Sequence, residues 1–114
     1  MDLIYALVKK PRCKPETMIV GNDLAALQEV IGGHLETVWL PDLDAVMIVD
    51  EEGKLKDKPY NFTIRNDDIV GTAIFCGVGD EDFTDIGPDA LHVLSTVLER
   101  LEDPYRRKAA DICQ

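Results

Sequence analysis

Two apolar runs, at residues 45–49 and 69–78, constrain the fold of this chain more than any other feature. They read AVMIV and IVGTAIFCGV, and neither alternates regularly between apolar and polar residues. Continuous apolar character over the length of a strand is typical of interior strands, because both of their faces are covered. We therefore predict two interior strands, with Gly71, Gly77 and Gly79 marking bulges or close backbone approaches.

Shorter segments supply the rest of the predicted sheet. Residues 3–9 and 17–20 are apolar and are separated by a basic loop that contains prolines, which predicts a hairpin-like pair. Strand composition returns in HLETVWL at residues 34–40 and briefly in YNFTI at residues 60–64. These segments extend the two interior strands into a sheet.

Two amphipathic stretches predict helices. The first, NDLAALQEVIGG, has Asn22 or Asp23 as its N-cap and a glycine stop at Gly32 or Gly33. The second begins at Pro88. The predicted apolar stripes are Leu24, Leu27 and Ile31 in the first helix, and Ala90, Leu94, Val97 and Leu101 in the second.

With 114 residues, the chain has the length of one ordinary domain. The elements above predict an α+β domain at residues 1–103, with a mostly antiparallel sheet of about five strands and two helices packed on it. Residues 104–114 form a predicted polar C-terminal tail.

The formal net charge of -10 restricts the class of partner. Residues 1–20 hold four bases and two acids, so the acidic excess lies in the rest of the chain. Direct binding of nucleic acid is disfavoured, because its affinity comes from basic contacts with phosphates. A basic protein, a metal ion or a cationic ligand fits this surface better, although a negative surface also serves solubility without any partner.

Localisation is predicted to be cytoplasmic, without a membrane partner. No apolar run approaches the roughly 18 to 20 residues of a spanning helix, and the N-terminal stretch carries Asp2 where a signal peptide carries a base. The three cysteines are widely spaced and form no C-x-x-C pair, which is typical of a reducing compartment. The sequence leaves the oligomeric state open.

The stretch VDEEGKLKDKPYN, residues 49–61, carries seven charged side chains in thirteen positions directly after an apolar run. We predict a β-hairpin that turns at Gly53 with a positive φ and exposes Asp50, Glu51 and Glu52 to solvent. A hairpin turn is a poor place for the burial that splits the pKa values of catalytic carboxylates. No catalytic residue, metal site or cofactor is predicted, so an enzyme is the less favoured class.

A second acidic segment, GVGDEDFTDIG, does not match the ligand-binding motifs that it resembles superficially. In a dinucleotide fingerprint the third glycine would replace Asp82, and in a calcium loop the turn glycine would replace Asp85. We interpret the segment as a solvated loop. Asn61 has two open interpretations: a turn residue, or a residue that points into a ligand cleft near Gly77 and Tyr60.

Several of these segments, taken in order, resemble the family catalogued as domain of unknown function 3846, small proteins of phages, plasmids and bacteria. The resemblance covers about residues 3–86. It implies a mobile-element or bacterial origin and no established activity. Its most specific positions are Asp50, Glu51, Gly53, Lys54, Leu55 and Asn61, followed by Ile69, Val70, Gly71 and Gly77.

The leading functional hypothesis is a non-enzymatic acidic accessory module that binds a basic protein partner. A small-ligand or metal-binding domain with a cleft near Asn61 and Gly77 is one alternative, and a DNA-mimic inhibitor of a host nucleic-acid-binding protein is another. The partner-binding residues predicted by the leading hypothesis are Asp50, Glu51, Glu52, Asp80, Glu81, Asp82 and Asp85.

Overall fold

The computed structural model describes residues 2–101, so the predicted tail at 104–114 lies outside the described residues. In chain order the elements are β1 (Leu3–Lys9), β2 (Glu16–Gly21), α1 (Leu24–Ile31), β3 (Leu35–Leu40), a 3-10 turn (Pro41–Leu43), β4 (Ala45–Asp50), β5 (Tyr60–Ile64), β6 (Asp67–Val70), β7 (Ala73–Val78), β8 (Phe83–Thr84) and α2 (Pro88–Arg100). The predicted α+β class is confirmed.

The main sheet has the strand order β2-β1-β7-β4-β3, and the short strand β8 pairs with β7. Every strand pairing in it is antiparallel. The run at residues 45–49 is a central strand, as predicted, because β4 lies between β7 and β3 and all six of its residues are buried. The predicted pairing of the first two strands is also confirmed.

The apolar run at residues 69–78 is not one strand, which corrects the prediction. Gly71 has a φ of 73°, a left-handed conformation that a glycine adopts without strain, and it divides the run into β6 and β7. The strand β6 pairs with β5 in a separate two-stranded sheet. Arg65 and Asn66 form the two-residue turn between β5 and β6, with φ values of 52° and 63°.

The predicted β-hairpin at residues 49–61 is also wrong. Its two arms, β4 and β5, belong to different sheets, and a series of turns connects them. The strand β4 already pairs on one side with β3 and on the other with β7, so it has no edge to offer β5. Gly53 is not among the described residues with positive φ, whereas Asp57 has a φ of 58°.

The main sheet has a hydrophobic core on each face. Leu27 and Ile31 of α1 pack on one face, against residues such as Ile48 and Ile74. The opposite face is covered by α2 and by the β5–β6 sheet, whose Phe62 lies 6.0 Å from Phe75 between ring centroids. Burial of both faces explains why the central strands carry continuous apolar sequence.

The helix ends agree largely with the prediction. Asp23 caps α1 by accepting a hydrogen bond from the backbone N–H of Ala26, and Gly32 ends it with a φ of 80°. In α2 the buried stripe is Ala90, Leu94 and Leu98, so the predicted positions Val97 and Leu101 are partly exposed instead. Neither helix within residues 2–101 is long and apolar enough to cross a membrane.

Gly77 is predicted to tolerate no side chain. A Cβ atom there would come within 2.5 Å of the backbone oxygen of Asp85, so a Gly77→Ala substitution must move backbone. We expect a loss of about 1–3 kcal/mol in the free energy of unfolding, measured by urea denaturation.

Gly87→Ala is the matched control. A Cβ atom at Gly87 meets nothing within 4 Å, and its φ of -69° suits alanine. The control should cost less than about 1 kcal/mol, mostly from the weaker capping preference of alanine. Equal stability of the two variants would contradict the close approach at Gly77.

Candidate functional site

Asp50 is buried at the end of β4, which corrects its predicted place on an exposed acidic surface. Its side chain is 1% exposed, and its Oδ2 atom lies 2.8 Å from Lys56 Nζ and 2.6 Å from Lys58 Nζ. Its Oδ1 atom accepts a hydrogen bond from the backbone N–H of Glu52 at 2.8 Å. Three charges of the 49–61 stretch therefore meet at one buried carboxylate instead of pairing across a hairpin.

The two lysines also satisfy the last carbonyl groups of α1. Lys58 Nζ donates to the backbone oxygen of Ile31 at 2.8 Å, and Lys56 Nζ donates to that of Gly32 at 3.3 Å. A cation at this end of a helix interacts favourably with the helix dipole. The Asp50–Lys56–Lys58 cluster, which we call the buried ion cluster, thus joins α1, β4 and the 51–58 segment.

Opposing effects act on the pKa of Asp50. Burial by itself raises it, because the charged form loses water. Hydrogen bonds from Lys56, Lys58 and the Glu52 backbone together outweigh burial and hold the pKa well below its ordinary value of 3.8. The carboxylate is therefore ionised in the folded protein at neutral pH.

A groove lies beside this cluster, between β3, the 51–55 segment and β6. Its volume is about 140 Å³, which is smaller than the roughly 300–1,000 Å³ typical of small-molecule sites. We call it the acidic groove. It is lined by Glu36, Val38, Val49, Asp50, Glu51, Lys54, Leu55, Asp67, Asp68, Ile69 and Val70.

Exposed carboxylates dominate the rim of the acidic groove. Glu36, Glu51, Asp67 and Asp68 are exposed there, and Lys54 Nζ lies 2.8 Å from Asp67 Oδ1. The hydrogen bond and charge of Asp67, with smaller effects from Asp68 and Glu36, raise the pKa of Lys54. One lysine thus faces four acids, which leaves the groove strongly negative.

The groove also has an apolar part. Val38, Val49, Ile69 and Val70 contribute apolar surface. Leu55 lines the groove and is 86% exposed, so it adds apolar surface at the rim. The combination of an apolar wall and a negative rim suits a long cationic side chain, whose stem is apolar and whose head is charged.

The second predicted acidic segment lies at the other end of the sheet. Val46 pairs with Cys76 in antiparallel register, so the end of β7 lies near the start of β4, whereas Asp50 lies at the end of β4. At about 3.4 Å per residue, β4 alone separates these two levels by about 17 Å. Asp80, Glu81 and Asp82 are exposed there, far from the acidic groove.

Asp85 has a structural contact of its own. Its Oδ1 atom accepts a hydrogen bond from the backbone N–H of Tyr5 at 2.8 Å, and the Tyr5 oxygen accepts one from Ile86. The seven predicted partner-binding residues therefore do not form one surface. Of the first acidic cluster, Glu51 and Glu52 are exposed, and Glu51 lines the acidic groove.

The predicted ligand cleft near Asn61 is not supported by its position. Asn61 is 0% exposed; its amide donates to the backbone oxygens of Lys9 and Gly71, both at 2.7 Å, and its oxygen accepts from Lys9 Nζ at 2.8 Å. These bonds fix β5 against β1 and the Gly71 turn. Tyr60 is 41% exposed with its hydroxyl on Thr63, and Gly77 faces Thr84 across the β7–β8 pair.

Sequence reasoning missed Glu36, Asp67 and Asp68 as members of the site. Asp67 and Asp68 begin a strand that follows a two-residue turn, and the turn residues Arg65 and Asn66 lack the glycine that usually reveals such a hairpin. Glu36 lies on β3, thirty-one residues before Asp67. Only the packing of the β5–β6 sheet beside β3 brings these acids together.

Two features of residues 2–101 concern metal and thiol chemistry. No group of three or more histidine, cysteine, aspartate or glutamate side chains there could hold a metal ion. Cys76 is fully buried in β7, and burial raises the pKa of its thiol to about 12, so it is not a reactive thiolate.

The fold and the groove define a small α+β domain with a covered antiparallel sheet and a negative, partly apolar surface site. The family model described as Domain of unknown function (DUF3846) matches residues 4–102. The chain belongs to this family, as its resemblance indicated. Neither a curated protein nor a solved structure matches the chain.

Removing the charge of Asp50 should destabilise the fold. Asp50→Asn leaves two lysines facing a neutral amide, and we expect a loss of about 2–3 kcal/mol in the free energy of unfolding. This is below the roughly 3–5 kcal/mol of fully buried pairs, since the lysine side chains keep 38% and 21% exposure. Urea denaturation at pH 7 measures it, with the exposed neighbour substitution Glu51→Gln as a control that should be nearly neutral.

The cost of Asp50→Asn should depend on pH in a defined direction. The folded-state pKa of Asp50 lies below the ordinary value of 3.8, so its ionised form stabilises the folded state above about pH 4. The difference in unfolding free energy between wild type and variant should be constant from pH 7 to 5 and shrink below pH 4. A constant difference down to pH 2.5 would assign the cost to packing instead of charge.

Proposed function

We propose that this protein is a non-enzymatic protein-binding module that holds a basic side chain of its partner in the acidic groove. The main support for this proposal is that four exposed acids surround Lys54 beside an apolar wall of the groove. These acids are Glu36, Glu51, Asp67 and Asp68. The groove volume of about 140 Å³ suits one side chain better than a metabolite. The partner feature that fits is a lysine or arginine flanked by apolar residues.

Lys54 does not block such a partner. Its side chain is 65% exposed and makes its ion pair with Asp67 at the surface, where such pairs contribute little to stability. An incoming arginine can form paired hydrogen bonds with a carboxylate, which a lysine cannot. Exchange of the Lys54–Asp67 pair for a contact with the partner is therefore inexpensive in free energy.

The buried ion cluster holds the segment that carries part of the acidic groove. Asp50 anchors the 51–58 segment through Lys56 and Lys58, so Glu51, Lys54 and Leu55 are displayed on a fixed turn. A fixed binding surface loses less conformational freedom when the partner binds. In this proposal the buried ion cluster positions the 51–58 segment, and the exposed acids of the groove contact the partner.

DNA mimicry receives less support. Duplex DNA presents about one charge per 1.7 Å of its axis, whereas the two acidic segments here lie at opposite ends of β4, and Lys54, Lys56 and Lys58 interrupt the first. A cytoplasmic setting is part of the proposal and rests on the sequence, in which the cysteines are widely spaced and form no C-x-x-C pair. A mobile-element origin is the further expectation that the family resemblance adds.

A peptide selection tests the proposal. Displayed random peptides are selected against the wild-type protein, and we expect enrichment of sequences with lysine or arginine beside apolar residues. Binding should weaken at high salt, because rim charges act through screened attraction. The triple variant Glu36→Gln, Glu51→Gln and Asp68→Asn should lose about tenfold or more in affinity for the enriched peptides.

A second triple variant controls for overall charge. It combines Asp80→Asn, Glu81→Gln and Asp82→Asn. It removes three negative charges at the opposite end of the sheet, so the net charge changes by the same amount as in the first variant. It should bind the enriched peptides like the wild type. If both variants weaken binding equally, bulk charge and not the acidic groove recognises the peptides, and the proposal fails.

A further inference from the structure

The strand β3 forms one end of the main sheet within the described residues. The residue just before β3 shows which of its residues bond to β4. The backbone oxygen of His34 accepts a hydrogen bond from the backbone N–H of Glu51 at 2.9 Å. Residues opposite each other in an antiparallel pair alternate between bonded and non-bonded positions. The bonded positions continue at Glu36 and Val38, opposite Val49 and Met47.

The intervening residues of β3 direct their backbone groups away from the sheet. By the same alternation, Leu35, Thr37 and Trp39 present N–H and C=O groups outward. Arg65 Nη1 approaches the backbone oxygen of Trp39 at 3.4 Å, which agrees with this direction. Such an edge is a template for another extended chain, and proteins normally protect it.

Apart from the Trp39 oxygen, which accepts a hydrogen bond from Arg65, this edge presents its backbone groups outward beside the acidic groove. Glu36 and Val38 face the groove, while Thr37 and Trp39 point to the opposite face of the sheet, where Trp39 is 47% exposed. A strand added beside β3 would direct every second side chain toward the groove and the others toward Trp39. One face of such a strand would therefore contact the acidic groove, and the other face would contact Trp39.

We infer that β3 accepts an extended segment of the partner as an additional strand, with basic side chains on the groove side and apolar side chains on the Trp39 side. This rests on the proposed function and states how the partner binds. Backbone hydrogen bonds to the β3 edge supply affinity, and the alternating side chains supply selectivity. The occupant is therefore a strand with period-two alternation of basic and apolar residues.

A second copy of this chain fits the edge poorly. Pairing of two β3 strands would bring two chains of net charge -10 together and place one acidic groove beside the other. Like charges next to each other across strands are destabilising. A basic segment experiences attraction at the same place, so charge favours a different partner over self-association.

Substitution of one residue on each sheet edge tests the inference. Thr37→Pro removes an outward N–H and leaves the bonds of β3 to β4 intact, a position where proline is tolerated in an edge strand. Thr17→Pro is the matched control on the opposite edge: the bond from Asn22 N to the Asp2 oxygen places Thr17 at an outward position of β2. Thermal unfolding followed by circular dichroism checks that both variants are folded.

Two synthetic ten-residue peptides serve as probes in fluorescence anisotropy. One alternates lysine and valine, and the other has the same composition in two blocks. The alternating peptide should bind the wild-type protein at least about tenfold more tightly than the block peptide, because only it separates the two chemistries onto two faces. Thr37→Pro should lose about tenfold in affinity for it, and Thr17→Pro should not.

N-methylation of the alternating peptide gives a readout that does not depend on the folding of any variant. Methylation of single backbone nitrogens should abolish binding at every second position, because only alternate N–H groups face β3. Uniform tolerance of methylation, equal binding of the two peptides, or unchanged binding by Thr37→Pro would overturn the strand-addition inference.

These outcomes separate the inference from the proposed function. If the Glu36, Glu51 and Asp68 variant weakens binding while Thr37→Pro and N-methylation do not, the groove binds basic side chains without strand addition. If the groove variant binds as well as wild type, the proposed function itself fails. A dimer in analytical ultracentrifugation that Thr37→Pro dissociates would show that a second copy occupies the edge, which also overturns the inference.

Discussion

The candidate site depends on one buried carboxylate and the two lysines that reach it. Asp50 sits at the end of a central strand, and Lys56 and Lys58 bind both its oxygen and the last carbonyl groups of α1. Gly33 makes the arrangement possible, since a Cβ atom there would come within 2.6 Å of Asp50 Oδ2. A buried charge that must find these partners favours one path for the connecting segment, which is a role in specificity more than in stability.

Two outcomes follow from this arrangement. The 51–58 segment turns back along the end of α1 instead of pairing with β4, so β5 leaves the main sheet and pairs with β6. The β5–β6 sheet then packs over the face of the main sheet that carries Met47 and Val49, held by Asn61. Its position beside β3 creates the acidic groove next to an open strand edge. The buried Asp50 and the exposed Glu51 of the groove are thus neighbours in the sequence.

The sequence predicted the elements better than their partners. The apolar run at 45–49 required a central strand, and the pairs Asn22–Asp23 and Gly32–Gly33 marked the ends of α1 to within one residue, because these signals are local. The 49–61 stretch misled the prediction, since a charged segment with a glycine looks the same whether it turns in solvent or wraps around a buried carboxylate. Gly71 was recognised as a special position, but its left-handed φ separates two sheets instead of marking a bulge.

The sequence by itself determined the class of fold, the covered central strand, the caps of α1 and the acidic character of the surface, because each depends on residue type and short-range spacing. Tertiary structure decided which acids are buried and which are exposed together. It buried Asp50, gave Asp85 a backbone partner, and placed Asp80 at the opposite end of the sheet from Asp50. It joined Glu36 to Asp67 and Asp68 in one groove. Strand order and register bring residues together that are far apart in the sequence, and the local pattern of residue types predicts neither of them.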